Sequence, residues 1–100
     1  LAPEQARVLS VSRDQHAYAD QVAEALRKHG LRAEADTREE KIGFKIREAE
    51  TMHVPLMLVV GGREQEEATV NLRRRHTREQ RSLSVEALAQ EMLDEVAQRA

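Results

Sequence analysis

The sequence predicts one α/β domain, in which a mixed sheet of about five strands packs with three helices. Two features carry this prediction. Residues 6–36 read as strand, helix and strand, a β-α-β unit whose parallel crossover is right-handed. Residues 56–60, LMLVV, form an uninterrupted apolar run, the pattern of a strand buried on both faces inside a sheet. A length of 100 residues suits one domain.

Composition excludes several classes of protein. The chain has no cysteine, which excludes disulfides, thiol nucleophiles and cysteine-based zinc sites, and fits a reducing compartment. No apolar run approaches the roughly 18 residues of a membrane helix, so no membrane association is expected. Because the chain begins at Leu1 rather than methionine, we expect a fragment of a longer protein.

Charge is distributed unevenly along the chain. The net charge is −2, yet residues 73–81, RRRHTREQR, hold five arginines and one glutamate. Such a local excess is typical of a protein that meets phosphate along one edge. A solvated strand and turn rich in arginine is the other interpretation, and the charge alone does not separate the two.

The chain opens with a strand, a helix and a second strand. ARVLSV, residues 6–11, is the first strand. Ser12 or Asp14 can cap a helix in which apolar residues recur at helical spacing through Leu26. Gly30 is expected to end this helix, at the position where glycine accepts a left-handed backbone. The next six residues, LRAEAD, form the second strand.

A second helix is predicted next. TREE, residues 37–40, has the spacing of a capping box and places the helix start near Thr37 or shortly after. Three apolar residues are expected to face the core: Ile42, Ile46 and Ala49. Three basic residues are expected to face solvent: Lys41, Lys45 and Arg47. Pro55 cannot continue the helix, so the chain becomes extended before the buried strand.

The remainder is predicted to form two strands and a third helix. Gly61 and Gly62 read as a tight turn rather than a phosphate site, followed by a polar turn, REQEEA. TVNLRRR, residues 69–75, alternates as a strand, and residues 78–82 can pair back as a short edge strand. Ser84 is the predicted N-cap of the last helix.

No catalytic site is visible in the sequence. None of the four histidines lies in a metal-binding pattern such as H-E-x-x-H, so no metal site is expected. No nucleophile elbow, phosphate-binding loop or dinucleotide-binding motif is present. The chain therefore reads as a binding module without catalytic residues or a cofactor of its own.

One stretch resembles a known family. DTREEKIGFKIREAETMHVPLMLVVG is similar to the signature of the anticodon-binding domain of class IIa aminoacyl-tRNA synthetases. Within that family it most resembles the threonyl-tRNA synthetases, whose typical run is D-x-R-N-E-K-I-G-[FY]-K-I-R-E-A, then V-P-[YL]-M-L-V-x-G. The strand TVNLRRR resembles the family's T-V-x-V-R-R-R, and the similarity extends from about Ala2 to Val96.

The resemblance implies a fold and a function. The fold is the three-layer α/β/α anticodon-binding fold across residues 1–100. The function is recognition of the anticodon stem-loop of threonine tRNA, while a missing catalytic domain of the same chain attaches threonine to that tRNA. ATP, magnesium and zinc are expected in the catalytic domain, and no cofactor in this one. The parent enzyme is expected to be a cytoplasmic homodimer.

The resemblance also implies site residues. Glu64 and Arg73 match the base-reading glutamate and arginine of the family. Glu39 stands where the family usually has asparagine, and His53 where it has a basic residue before V-P, and both are candidate anticodon contacts. Four basic residues are candidate contacts to the RNA backbone: Lys41, Lys45, Arg74 and Arg75. Since Tyr18 and Phe44 are the only aromatic residues, aromatic stacking is expected to contribute little.

A second hypothesis stays open at this stage. Glu39, His53 and the net acidity motivate a protein-interaction or regulatory module, one that kept the fold in a diverged or duplicated synthetase and lost RNA binding. Titration with anticodon stem-loop RNA distinguishes the two hypotheses. Gly43 lies within the predicted second helix, although glycine is a poor helix former. A close neighbour that leaves no room for a side chain is therefore expected there, either the sheet or RNA.

Overall fold

The protein, for which a computed structural model describes residues 4–75, 77 and 79–99, is built on one mixed sheet. In this part of the chain the sheet has five strands in the order β2-β1-β3-β4-β5. Their bounds are β1 (Ala6–Ser10), β2 (Ala33–Asp36), β3 (Leu56–Val60), β4 (Thr69–Arg74) and β5 (Gln80–Ser84). β1 runs parallel to β2 and β3, whereas β4 is antiparallel to β3 and β5. The predicted mixed sheet is confirmed.

Helices lie on both faces of the sheet. The described residues form four α-helices, α1 (His16–Lys28), α2 (Ile42–Thr51), α3 (Gly62–Glu67) and α4 (Val85–Arg99). α1 and α4 share one buried cluster with strand residues such as Leu58 and Leu72. α2 packs on the other face, where Ala49 meets Leu9 and Met57. The predicted α/β/α layering is confirmed, with α3 as a helix that the sequence pattern did not predict.

The end of α1 has the predicted glycine. Gly30 has a left-handed φ of 82°. Its backbone N–H donates to the carbonyl of Arg27, and the N–H of Leu31 donates to that of Leu26. This pair of bonds is a Schellman motif, which satisfies carbonyls that the helix leaves without a partner. The motif turns the chain directly into β2.

The expected start of α2 near Thr37 was wrong, because the helix begins at Ile42. The carboxylate of Asp36 accepts hydrogen bonds from the backbone N–H of Arg38 at 3.3 Å and from its guanidinium at 2.9 and 2.8 Å. An aspartate that binds the N–H two residues on forms a turn, which competes with helix. The chain then reaches Lys41 in an extended conformation, at the N-cap. Capping-box spacing alone misplaced the start by about one helical turn.

The expected tight turn at Gly61 and Gly62 was also wrong, because α3 begins there. Gly61 is the N-cap, and its backbone N–H donates to Oε1 of Glu64 at 2.8 Å. Residues 62–67 bury no side chain. An all-polar helix of this length shows no hydrophobic periodicity, so the sequence read as a polar turn.

The C-terminal elements follow the prediction closely. β4 ends at Arg74, and β5 begins at Gln80, two residues beyond the expected start, which lies outside the described residues. The N–H of Ala87 donates to Oγ of Ser84 at 3.1 Å, which confirms Ser84 as the N-cap of α4.

Candidate functional site

The two faces of the β4–β5 half of the sheet differ in chemistry. The face toward α1 and α4 is apolar: Val70 and Leu72 are buried there. On the α2 side the same two strands present polar residues that are half-buried or exposed: Thr69, Asn71, Arg73, Gln80, Ser82 and Ser84. We call these six residues the open face. α2 packs over β1 and β3 and leaves the open face accessible.

Arg73 lies on the open face. It pairs with Met57 of β3 and with Gln80 of β5, and its side chain is half-buried. Side chains alternate along a strand, so its neighbour Arg74 points to the other face. There Arg74 binds Glu95 of α4 at 2.5 Å. Arg74, predicted as a contact to the RNA backbone, is thus paired with α4 on the opposite face, and a ligand on the open face reaches Arg73 but not Arg74.

Glu64 lies beyond the end of β3, beside the start of β4. Its Oε1 accepts the hydrogen bond that caps α3. Burial of the Tyr18 hydroxyl raises the pKa of Tyr18, and the negative charge of Glu64 raises it further. The Tyr18 hydroxyl donates to the carbonyl of Thr69 at 2.7 Å, which marks this end of β4. Arg73 lies four residues beyond Thr69 along β4, which corresponds to about 13 Å between these two residues at roughly 3.3 Å per residue. Glu64 and Arg73 thus lie toward opposite ends of β4 rather than side by side.

The other candidate contacts divide between these two ends. Glu39 forms an ion pair with Arg13, which follows β1, so Glu39 and the neighbouring Lys41 lie at the Glu64 end. Both are exposed. His53, exposed and with a left-handed φ of 62°, follows α2 at the opposite end. Arg75 is at that end too, where its Nε donates to the carbonyl of Glu50 at 2.9 Å.

Lys45 corrects a prediction. It was expected to face solvent and bind the RNA backbone, yet its side chain is only 1% exposed. Its Nζ donates to the carbonyl of Ser10 at 2.9 Å, to Oγ of Ser10 at 3.1 Å and to the carbonyl of Asp36 at 3.2 Å. Burial lowers the pKa of Lys45. Lys45 joins α2 to the ends of β1 and β2 and is not available to RNA.

α2 turns two different flanks toward the sheet. On one flank Glu48 binds Arg38 at 2.5 Å, beside β2. On the other, the carbonyl of Glu50 accepts the hydrogen bond from Arg75, just beyond β4. That second flank carries three residues at helical spacing: Gly43, Arg47 and Glu50. It borders the open face, and the sequence pattern did not single out Arg47 or Asn71 as contacts there.

The aromatic residues lie away from the open face. Tyr18 projects from α1 and is committed to the backbone of Thr69. The ring of Phe44 lies 5.7 Å from the guanidinium carbon of Arg38, on the β2 flank of α2. Recognition on the open face therefore depends on hydrogen-bonding and charged side chains.

Across residues 4–75, 77 and 79–99, no cluster of three histidine, aspartate or glutamate side chains is arranged to hold a metal ion. Within the same residues, no helix has the length and apolar character needed to cross a membrane.

The sequence is similar to a known domain family and to several known proteins. The family model described as an anticodon binding domain matches residues 5–95. A threonine–tRNA ligase of Magnetococcus marinus is 49% identical over 100 residues, which are 100% of this chain and 15% of that protein. One from Caldanaerobacter subterraneus is 46% identical, again over 100% of this chain and 16% of the relative. The chain thus spans 15 to 16% of the length of these curated relatives.

Solved structures match the fold closely. The RNA binding domain of threonyl-tRNA synthetase from Cryptosporidium parvum Iowa II has a TM-score of 0.89 and 33% identity, covering 93% of this chain and 24% of that one. Histidyl-tRNA synthetase from Nostoc has a TM-score of 0.86 over 95% of this chain and 23% of that one. At 19% identity, the second likeness concerns the fold alone.

Proposed function

The chain belongs to the anticodon-binding domain family, and we propose that it recognises the anticodon loop of threonine tRNA. One observation carries the proposal most directly. The α2 side of β4 and β5 is polar and accessible and carries the Arg73 guanidinium, and the Glu64 carboxylate lies in α3, just before the start of β4. The similarity to threonine–tRNA ligases over the whole chain supports threonine tRNA as the partner.

The chemistry of the two ends suits unpaired bases. Single-stranded loops present base edges that side chains read by hydrogen bonding. Arg73 can donate two hydrogen bonds to the O6 and N7 acceptors of guanine, whereas Glu64 can accept from a base amino group. Glu64 precedes the start of β4 and Arg73 lies toward its end, and the Thr69–Arg73 segment alone is about 13 Å long, or roughly four nucleotides stacked at about 3.4 Å each. Each residue therefore contacts a different nucleotide of the loop.

Other residues play supporting roles in this proposal. Lys41 and Arg47 are exposed cations beside the open face and attract phosphates irrespective of sequence. Arg75 uses one N–H to bind the carbonyl of Glu50 and keeps others for phosphate. Glu39 reaches a base only when its pair with Arg13 opens. His53 contacts RNA that extends past the Arg73 end.

The parent protein is part of the same proposal. It is a threonine–tRNA ligase whose catalytic domain lies elsewhere in the chain and joins threonine to tRNA with ATP. Magnesium and zinc belong to that catalytic domain. We place the parent in the cytoplasm as a homodimer.

A titration with RNA tests the proposal. The chain is mixed with the anticodon stem-loop of threonine tRNA, or with the same stem carrying a scrambled loop, between about 50 and 200 mM salt. We expect tighter binding of the cognate loop at every salt concentration, with both affinities falling as salt rises. Equal affinities for the two loops contradict anticodon recognition. Failure to bind either RNA favours the protein-interaction module instead.

A further inference from the structure

Gly43 occupies a place where the protein itself does not need glycine. It is the second residue of α2, and the left-handed φ found at Gly30 is absent from it. A Cβ built at Gly43 meets nothing within 4 Å among the residues that the structure describes. Alanine therefore fits there without strain, and alanine is the better helix former. The sheet, one of the two expected neighbours, does not explain this glycine.

The space beside Gly43 opens toward the candidate RNA surface. Gly43 shares a flank of α2 with Arg47 and Glu50, at i, i+4 and i+7. The Glu50 carbonyl accepts from Nε of Arg75, which ties this flank to the β4 side of the sheet. The opposite flank is committed to β2 through Glu48. Gly43 thus lies along the border of the open face.

Gly43 also lies near the Glu64 end of that border. It is two residues from Lys41, which precedes α2 at the same end as Glu39. An RNA strand that reaches from Glu64 to Arg73 crosses the open face beside the first turn of α2. A side chain at position 43 narrows that passage, whereas glycine lets another molecule approach the helix backbone.

We propose that Gly43 is a positioning residue for RNA: a nucleotide crossing the open face packs directly against its Cα atom. This inference rests on the proposed anticodon recognition and adds a steric requirement to it. A sugar or base in van der Waals contact lies at about 3.5–4.0 Å, so even one added methyl group displaces it. The glycine is explained by the ligand rather than by the fold.

Two substitutions of increasing size test the inference. Gly43→Ala and Gly43→Leu are compared with the unmodified chain for thermal midpoint and for affinity toward the cognate stem-loop. The midpoint of Gly43→Ala is expected to equal or exceed that of the unmodified chain. Affinity is expected to fall about threefold for alanine and at least about tenfold for leucine, a loss that grows with side-chain size.

Thr51 offers a matched control on the same helix. Its side chain is exposed and its Oγ1 donates to the carbonyl of Arg47 within α2. Thr51 projects away from the sheet, so Thr51→Ala and Thr51→Leu are expected to leave RNA affinity unchanged. A loss of affinity equal to that of the Gly43 variants would show that altering α2 anywhere disturbs binding, and would overturn the inference.

The remaining outcomes separate the inference from the proposal beneath it. If the unmodified chain binds cognate RNA and both Gly43 variants bind it equally well, the clearance role of Gly43 is overturned while anticodon recognition stands. If the unmodified chain does not bind, both are overturned. Should Gly43→Leu lower the thermal midpoint, Gly43→Ala decides, since its methyl group contacts nothing in the described part of the chain.

Discussion

Even-numbered residues of β4 face α1 and α4, whereas odd-numbered residues face the open side of the sheet. Val70 and Leu72 are buried against α1 and α4, where they belong to the main core. Asn71 and Arg73, between and beside them, face the open side of the sheet. The alternation of a strand thus separates folding from recognition at the level of single residues. Substitutions on the two sides are expected to change different measurements.

The largest contrast is expected between Leu72 and Arg73. Leu72→Ala removes buried methyl groups and leaves a cavity, which lowers the free energy of unfolding by about 2–5 kcal/mol. Arg73→Ala is expected to change the same quantity by less than about 0.5 kcal/mol. Urea unfolding of both variants measures the difference. Similar losses would mean that Arg73 belongs to the core and that the two sides are not separate.

A second contrast compares two lysines at the start of α2. Lys45→Met leaves the buried carbonyl of Ser10 without its donor and is expected to lower the free energy of unfolding by about 2–4 kcal/mol. Lys41→Ala should leave stability nearly unchanged, because Lys41 is exposed. It should weaken binding of every RNA sequence and reduce the salt dependence. A stable Lys45→Met variant with weakened RNA binding would contradict these assignments.

Neighbouring arginines give a third contrast, this time in binding. Arg73→Ala is expected to weaken cognate stem-loop binding by about 1–3 kcal/mol and to relax the preference over a scrambled loop. Arg74→Ala removes ion pairs to α4 that contribute about 0–1 kcal/mol of stability. It is expected to leave the preference for the cognate loop unchanged. Equal losses for cognate and scrambled loops in Arg73→Ala would exclude base reading by that residue.

The smallest effect is expected in the pH dependence of stability, and it arises beside β2, where Arg38 binds Asp36. Hydrogen bonds from Arg38 hold the pKa of Asp36 below its ordinary value. The stabilisation is therefore fully present above the unfolded pKa of about 3.9 and is lost as pH falls through the lower folded pKa. Unfolding of Asp36→Asn, measured between about pH 6 and pH 2, should show a shallower decline than the unmodified chain. Parallel plots of unfolding free energy against pH for the two chains would mean that the hydrogen bonds from Arg38 do not lower the pKa of Asp36.

Much of the fold could be predicted from the sequence because apolar spacing records which faces are buried. The run at 56–60 predicted β3 at its observed bounds, and the alternation at 69–75 predicted β4, which ends one residue earlier at Arg74. Gly30 and Ser84 marked helix ends because each meets a specific backbone requirement. These signals are local and do not depend on the rest of the chain.

The features that escaped prediction depend on contacts between distant segments. Lys45 lies at core spacing with Ile42 and Ala49, but its charge suggested solvent. Only the ends of β1 and β2 supply the acceptors that make its burial stable. The distance between Glu64 and Arg73 was likewise invisible, because it follows from the position of α3 relative to β4.

Nitrogen-15 NMR of the chain tests most directly whether RNA binds on the open face. Cognate stem-loop is titrated in, and backbone amide shifts are followed residue by residue. The expectation is that changes concentrate on the open face, at Asn71, Arg73 and Ser82, and at the nearby Gly43 and Glu64, with α1 and α4 unaffected. Changes centred on α1 and α4, with the open face silent, would contradict it.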